Sequence, residues 1–88
     1  MVNISFINNY LKSYINNKVI TELNGFINTT IYVEKFYFKI CENYLLIKNS
    51  NLVVLKIIFN EVRYVICEND KILIEFNFGE RILMYKDN

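Results

Sequence analysis

The first sixteen residues carry apolar side chains that recur every three or four positions, the spacing of one face of an α-helix. Polar residues, mainly asparagine, fill the positions between them. The pattern predicts a helix over residues 4–16, with Asn3 or Ser5 as its N-cap and an end at Asn16-Asn17. A helix of this length is marginal alone, so its apolar face must pack on the rest of the chain. The apolar positions are Phe6, Ile7, Tyr10, Leu11, Tyr14 and Ile15.

From Lys18 onward the pattern changes to short runs of β-branched and aromatic residues, separated by brief polar connections. The connections are rich in residues that favour turns, and Asn24-Gly25 predicts a type I′ turn between the first two strands. We therefore expect an all-β fold with one N-terminal helix, either a small antiparallel barrel or a strongly bent meander sheet of six to eight short strands. The runs cover residues 19–23, 26–33, 36–40, 44–48, 52–59, 62–67, 71–78 and 81–85.

Alternation within the strands predicts which side chains face the core. In the run 71–78 apolar residues occupy one face and mostly polar residues the other, which is typical of a half-exposed strand. The runs 44–48 and 52–59 are apolar on both faces, so we expect both to be covered on both sides. So much apolar surface on a small chain predicts a homo-oligomer. The expected core is Phe38, Ile40, Leu45, Ile47, Leu55, Ile57, Ile66, Ile72 and Ile74.

A four-residue segment occurs twice, as Ile40-Cys41-Glu42-Asn43 and as Ile66-Cys67-Glu68-Asn69. We interpret the two copies as similar hairpins in which the cysteine ends a strand and Glu-Asn lies in the turn. The alternative is a pair of reactive Cys-Glu sites. The cysteines themselves are expected to be small buried hydrophobic residues in a reducing compartment, and a single disulfide is the alternative.

The length of 88 residues fits one domain, 1–88, with the helix at 4–16 and antiparallel strands over 18–85. No run of eighteen apolar residues and no secretory signal is visible, so we expect a cytoplasmic protein that does not enter a membrane. The chain lacks Ala, Gln, His, Pro and Trp and has fourteen Asn and fourteen Ile. This bias is typical of an AT-rich genome and suggests a phage or mobile element as its source.

The absence of histidine removes many chemistries. Neither a Ser-His-Asp nor a Cys-His relay can form, and two cysteines cannot complete a zinc site. Two glycines cannot make a glycine-rich phosphate loop, and the glutamates show no catalytic spacing. We predict that the protein is not an enzyme and has no catalytic residue, metal or cofactor.

Rings and basic residues nevertheless alternate along the middle strands. Tyr37 and Lys39 share a strand face, and Lys48, Lys56 and Arg63 can line up across neighbouring strands. These five residues form a candidate surface for a nucleic acid or another partner, because bases stack on rings and phosphates bind lysine or arginine. The net charge of +1 argues against a nucleic acid. The alternative is that these charges keep aggregation-prone strands soluble.

One family resemblance covers residues 4–67. A helix followed by short bent strands resembles the Sm/LSm barrel and its Hfq-like branch, and Tyr44-Leu45-Leu46-Ile47-Lys48-Asn49 is similar to that family's third strand. The resemblance implies a ring of subunits joined by strand addition and binding to U- or A-rich single-stranded RNA. The family's glycine in the second strand and its Lys-His RNA site have no counterpart here. The resemblance therefore suggests a fold and assigns no RNA-binding residue.

The leading functional prediction is a non-catalytic interaction module. It self-associates and binds a protein partner through an apolar β surface, as a phage or mobile-element inhibitor of a host factor would. The first alternative is an Sm-like oligomer that binds single-stranded RNA. The second is a scavenger of a small nucleotide signal at subunit interfaces.

Overall fold

A computed structural model describes residues 3–25 and 27–87. Within them the chain forms one helix, α1, and eight strands, which build two antiparallel sheets. The five-stranded sheet has the order β2-β1-β8-β7-β6 and the three-stranded sheet has the order β3-β4-β5. The all-β prediction with one N-terminal helix is confirmed. The elements are α1 (Ile4–Lys12), β1 (Val19–Asn24), β2 (Thr29–Val33), β3 (Phe36–Ile40), β4 (Tyr44–Asn49), β5 (Leu52–Ile58), a 3-10 turn (Phe59–Glu61), β6 (Val62–Glu68), β7 (Lys71–Phe76) and β8 (Arg81–Lys86).

Helix α1 begins where the sequence predicts and ends earlier. The Asn3 side chain accepts a hydrogen bond from the backbone N–H of Phe6 at 3.0 Å and caps the first turn. At the other end, the N–H groups of Ser13, Tyr14 and Ile15 each bond the carbonyl three residues before. This tightening replaces the predicted last turn over residues 13–16, and the chain then leaves the helix at Asn16, where φ is +66°.

The two sheets do not close into a barrel, although β8 returns to pair with β1. Two corners interrupt the ring of strands. At the first corner, the backbone N–H of Phe36 donates to the Asn17 carbonyl, and the Phe36 carbonyl accepts from the N–H of Asn16; both bonds are 3.0 Å long. The start of β3 therefore pairs with the segment after α1 instead of with β2. At the second corner, the 3-10 turn carries the chain from β5 into the other sheet.

The core lies between the inner faces of the two sheets and is closed at one end by α1. Leu45, Ile47, Ile57, Ile72 and Ile74 are buried as predicted, and Phe38, Ile40 and Leu55 pack against them in part. Ile66 is 42% exposed, so its predicted place in the core is wrong. The register sets Ile66 opposite Leu73 on the outer face, while Val65 and Cys67 pack against the core. The expectation that β5 is covered on both sides is also wrong, because Lys56, Val53 and Ile58 are exposed on its outer side.

The predicted type I′ turn occurs at a different hairpin. Leu23 pairs with Thr29, so β1 and β2 are joined by a longer connection over residues 24–28. Asn24 remains paired with Arg81 of β8 and cannot enter a tight turn. Asn69 and Asp70, with φ of +53° and +60°, form the two-residue turn between β6 and β7 instead. Phe26, which the sequence places at the start of the second strand, lies outside the described residues.

The two copies of the repeated segment form hairpins that are offset by one residue. In the first, the N–H of Cys41 donates to the Tyr44 carbonyl at 2.8 Å and opens the turn. In the second, Cys67 still lies within β6, opposite Ile72. Both cysteines are half-buried and free, so the alternative of a disulfide is wrong.

Candidate nucleic-acid interface

Four of the five predicted surface residues lie on one face. This is the outer face of the three-stranded sheet, called here the Lys–Tyr face. Tyr37 of β3 is opposite Lys48 of β4, and Leu46 of β4 lies between Lys39 and Lys56 of the two flanking strands. The name refers to Tyr37, Lys39, Tyr44, Leu46, Lys48 and Lys56, and the exposed side chains of Val53 and Ile58 lie beside them on the same side of the sheet.

Strict alternation along β3 and β4 builds this face. Successive side chains of a strand point to opposite sides of the sheet. Phe36 and Phe38 turn into the core, so Tyr37 and Lys39 are outward, and buried Leu45 and Ile47 likewise leave Tyr44, Leu46 and Lys48 outward. A register shift between Ile47 and Lys48 then sets Val53 of β5 opposite Lys48.

The charge on the Lys–Tyr face is positive throughout. The face carries three lysines and no carboxylate, and none of these lysines forms an ion pair within residues 3–25 and 27–87. The Lys56 ammonium lies 4.4 Å from the centre of the Tyr44 ring, a cation–π contact. A hydrogen bond with the Cys41 thiol raises the pKa of Tyr44, so this phenol is neutral at physiological pH. Tyr37 is held by its hydroxyl, which donates to Asn16 Oδ1 at 2.5 Å.

Arg63 does not belong to this face, and its predicted alignment with Lys48 and Lys56 is wrong. It lies in β6 of the five-stranded sheet, where its Nη1 is 3.5 Å from Glu75 Oε2. The cause is the corner between β5 and β6, because residues on the two sides of it belong to different sheets.

Arg63 contributes instead to an ion-pair cluster around Glu75. This glutamate is 5% exposed, although it lies on the outer face of β7, because neighbouring long side chains surround it. Arg81 Nε donates to Glu75 Oε1 at 2.8 Å, and this hydrogen bond lowers the pKa of Glu75. A hydrogen bond to Glu75 also raises the pKa of Tyr64. Two arginines face one carboxylate in this cluster, so Glu75 is fully engaged and is not available as an acid or a base.

The remaining reactive groups are not arranged for metal binding. Burial raises the pKa of the Cys67 thiol, which keeps its sulfur protonated and weakly nucleophilic. In the described part of the chain, no three side chains among Cys, Asp and Glu are grouped so that they could hold a metal ion. No helix in residues 3–25 and 27–87 has the length and apolarity to cross a membrane.

Two members of the face, Tyr44 and Leu46, were absent from the sequence prediction. The sequence pattern that could have identified them is the alternation of side chains along β4, which places every second residue, Tyr44, Leu46 and Lys48, on the same face. Because this strand is apolar at almost every position, its two faces look alike in the sequence, and only the buried partners Leu45 and Ile47 distinguish them.

No protein-family model and no curated protein matches this chain. The resemblance to Sm barrels therefore stays a prediction. The function proposed for the chain rests on the geometry of its surface.

Proposed function

We propose that this chain is a non-catalytic binding protein whose Lys–Tyr face binds single-stranded nucleic acid. The observation that carries the proposal is the composition of that face, which has two tyrosines, no carboxylate and three lysines that form no ion pair with any described residue. Both tyrosines are half-buried and keep part of their rings accessible. A positively charged surface with accessible rings binds a single strand with little sequence preference, because every base has a π-face and every linkage has a phosphate.

The arrangement across the three strands suits an extended ligand. Neighbouring strands lie about 4.8 Å apart, so Lys39 and Lys56 are separated by about 10 Å across the sheet, with Leu46 between them. A backbone that crosses the sheet meets both ammonium groups, and Leu46 and the tyrosines offer apolar surface to the bases. The Lys56–Tyr44 contact presents a charge and a ring at one place.

The non-catalytic part of the proposal is supported by what the acidic and nucleophilic groups do. The chain has no histidine, Glu75 is engaged by Arg81 and Arg63, and burial raises the pKa of Cys67. An activated thiol needs a neighbouring base or a lowered pKa, and the pKa of Cys67 is raised instead. Glu75 is ionised, but its carboxylate is occupied by the two arginines.

The test is a titration of labelled single-stranded RNA of about twelve nucleotides against the protein, at salt concentrations between about 50 and 200 mM. The triple variant Lys39→Gln, Lys48→Gln, Lys56→Gln should bind at least about tenfold more weakly. Each lost phosphate contact reduces the slope of log affinity against log salt by about 0.7 for a single strand, so the slope should fall by about 2.

A matched variant removes the same charge elsewhere. Lys12→Gln, Lys71→Gln, Lys86→Gln lies outside the three-stranded sheet and should retain most of the affinity. Equal losses in the two triple variants would show non-specific attraction to the whole protein. An oligoglutamate peptide that binds as tightly as the RNA would show a site for acidic protein segments and would overturn the proposal.

A second candidate function, self-association, is favoured by the outer face of the five-stranded sheet. Leu83, Leu73 and Ile66 lie side by side across β8, β7 and β6 and form an apolar line. Glu68 and Lys71 are opposite each other beside it without forming an ion pair. A second copy related by a two-fold axis presents both charges in reverse and can pair with them.

Light scattering behind size exclusion tests this candidate. The wild type should elute as a dimer or larger, and Ile66→Lys should elute as a monomer with an unchanged circular dichroism spectrum. A monomeric wild type contradicts it. The host-factor inhibitor and the nucleotide scavenger stay predictions from the sequence.

A further inference from the structure

The two ends of the sandwich differ. Helix α1 closes one end, where the Tyr14 hydroxyl donates to the carbonyls of Asp70 at 2.9 Å and Met84 at 3.2 Å, and its ring packs edge-on against Phe36. The Tyr10 hydroxyl adds a bond to the Lys71 carbonyl. The opposite end, where β1 and β7 finish and β8 begins, has no helix over it in the described chain.

A cleft of about 500 Å³ opens at that uncovered end. Its apolar lining comes from both sheets, with Leu55 from β5 and Leu23, Phe76 and Ile82 from β1, β7 and β8. This volume lies within the range of small-molecule sites, which are concave and mostly apolar.

Two loops form the rim of this cleft, and each contains one of the two glycines of the chain. Gly25 has φ of +136° and Gly79 has φ of +89°, backbone conformations that side chains oppose. A Cβ on Gly25 would lie 2.9 Å from Glu80 Cγ, so glycine permits the two loops to touch. Each loop also holds an apolar side chain in water at the rim, Ile27 at 69% and Phe78 at 81% exposure.

The charged side chains at the mouth of the cleft are not equally available to a ligand. Four charged side chains line it, Lys56, Glu61, Glu80 and Arg81. Arg81 is hydrogen-bonded to Glu75. Lys56 keeps its charge, but its ammonium lies over Tyr44, a residue of the Lys–Tyr face that does not line the cleft. Glu61 and Glu80 form no ion pair within the described residues. The charge left for a ligand is therefore negative.

We propose that this cleft binds a small amphipathic amine, a molecule with an apolar body and a positively charged head. The body occupies the space lined by Leu23, Leu55 and Phe76 and removes Ile27 and Phe78 from water. The head lies near Glu61 and Glu80. The cleft shares Lys56 with the Lys–Tyr face, but the carboxylates that would hold the head, Glu61 and Glu80, lie outside that face, so neither proposal depends on the other.

Three probes share one alkyl chain and differ in the head group: octylammonium, octanoate and octanol. Their comparison separates the contribution of the apolar body to affinity from that of the charged head. Titration of each into isotope-labelled protein, followed by backbone amide shifts, locates and measures binding. We expect the shifts to centre on Leu23, Phe76 and Ile82, with octylammonium bound about tenfold more tightly than octanoate.

Two variants assign the parts of the site. Phe78→Ser should weaken all three probes, because it removes rim surface from the apolar body. Glu61→Gln with Glu80→Gln should abolish the preference for octylammonium and leave octanol binding unchanged. Leu52→Ser, at an exposed apolar residue that begins β5 and does not line the cleft, is the matched control and should change nothing.

The proposal is overturned if none of the probes shifts the cleft amides, or if the shifts centre elsewhere. It is also overturned if octanoate binds as tightly as octylammonium, since the carboxylates would then not select the head. The outcome at the Lys–Tyr face is measured with RNA, so failure of one site is distinguishable from failure of the other.

Discussion

Thr21 is a polar residue in an apolar place. It lies on β1, 1% exposed, between Ile31 of β2 and Met84 of β8, and its hydroxyl has no hydrogen-bond partner in the described residues. A buried hydroxyl without a partner loses its hydration and receives nothing in exchange. Valine has nearly the same shape and no group to desolvate.

Thr21→Val should therefore raise the free energy of unfolding, by about 1 kcal/mol. Urea unfolding followed by far-ultraviolet circular dichroism measures the change. Thr30→Val on the exposed side of β2 is the control and should stay within about 0.5 kcal/mol of wild type. A loss of stability in Thr21→Val would mean that a buried water satisfies the hydroxyl.

Glu75 is the residue that links stability to pH most directly. Its pKa in the folded protein is lowered, first by the hydrogen bond from Arg81, so the ionised carboxylate favours the folded state. This contribution is fully present above about pH 4.3, the ordinary pKa of glutamate, and is lost as the pH falls through the lowered folded value.

Glu75→Gln should be less stable than wild type at pH 7, and the difference should shrink as the pH is lowered below about 4. Thermal unfolding at a series of pH values measures this convergence. Glu68→Gln, an exposed carboxylate without an ion pair in the described chain, should follow the wild-type curve. Parallel curves for Glu75→Gln and wild type would show that the Arg81 contact is not formed in solution.

At the scale of elements, the sequence predicted strands better than turns. The bounds of β3 are those expected from alternation, because its inward Phe36 and Phe38 and outward Tyr37 and Lys39 are chemically distinct. The Asn24-Gly25 turn was mispredicted because a distant strand decides it. Pairing of Asn24 with Arg81 extends β1 past the point where a tight turn would begin, and no local pattern contains that information.

The two glycine loops can be compared directly by placing the same side chain in each. Gly79→Ala adds only the conformational cost of a positive φ, about 1 kcal/mol, because nothing lies within 4 Å of the new Cβ. Gly25→Ala has the same kind of cost and also meets the Glu80 backbone at 3.0 Å. It should be less stable than Gly79→Ala by about 1 kcal/mol or more in urea unfolding. Equal losses would mean that the two loops separate easily.

At the scale of the whole molecule, the sequence predicted surfaces built from consecutive strands and missed those built from strands that are distant in the sequence. The Lys–Tyr face is built from consecutive hairpins, so alternation in the sequence was enough to bring Tyr37, Lys39, Lys48 and Lys56 together. Arg63 was misplaced because a corner separates it from β5. The cleft was not foreseen, because it exists only once β8 has joined β1 and set Ile82 beside Leu23.

The pairing of β8 with β1 has a consequence for how the protein is made. β8 lies between β1 and β7, so the five-stranded sheet lacks an inner strand until Arg81–Lys86 have been synthesised. The hairpins of β3, β4 and β5 can form as soon as they are synthesised, whereas β1 has only β2 as a partner until β8 follows. During that interval Val19, Leu11 and Tyr14, all buried in the finished protein, are exposed to solvent or to a chaperone. Synthesis that stalls before Arg81 should therefore yield a chain destined for aggregation or degradation.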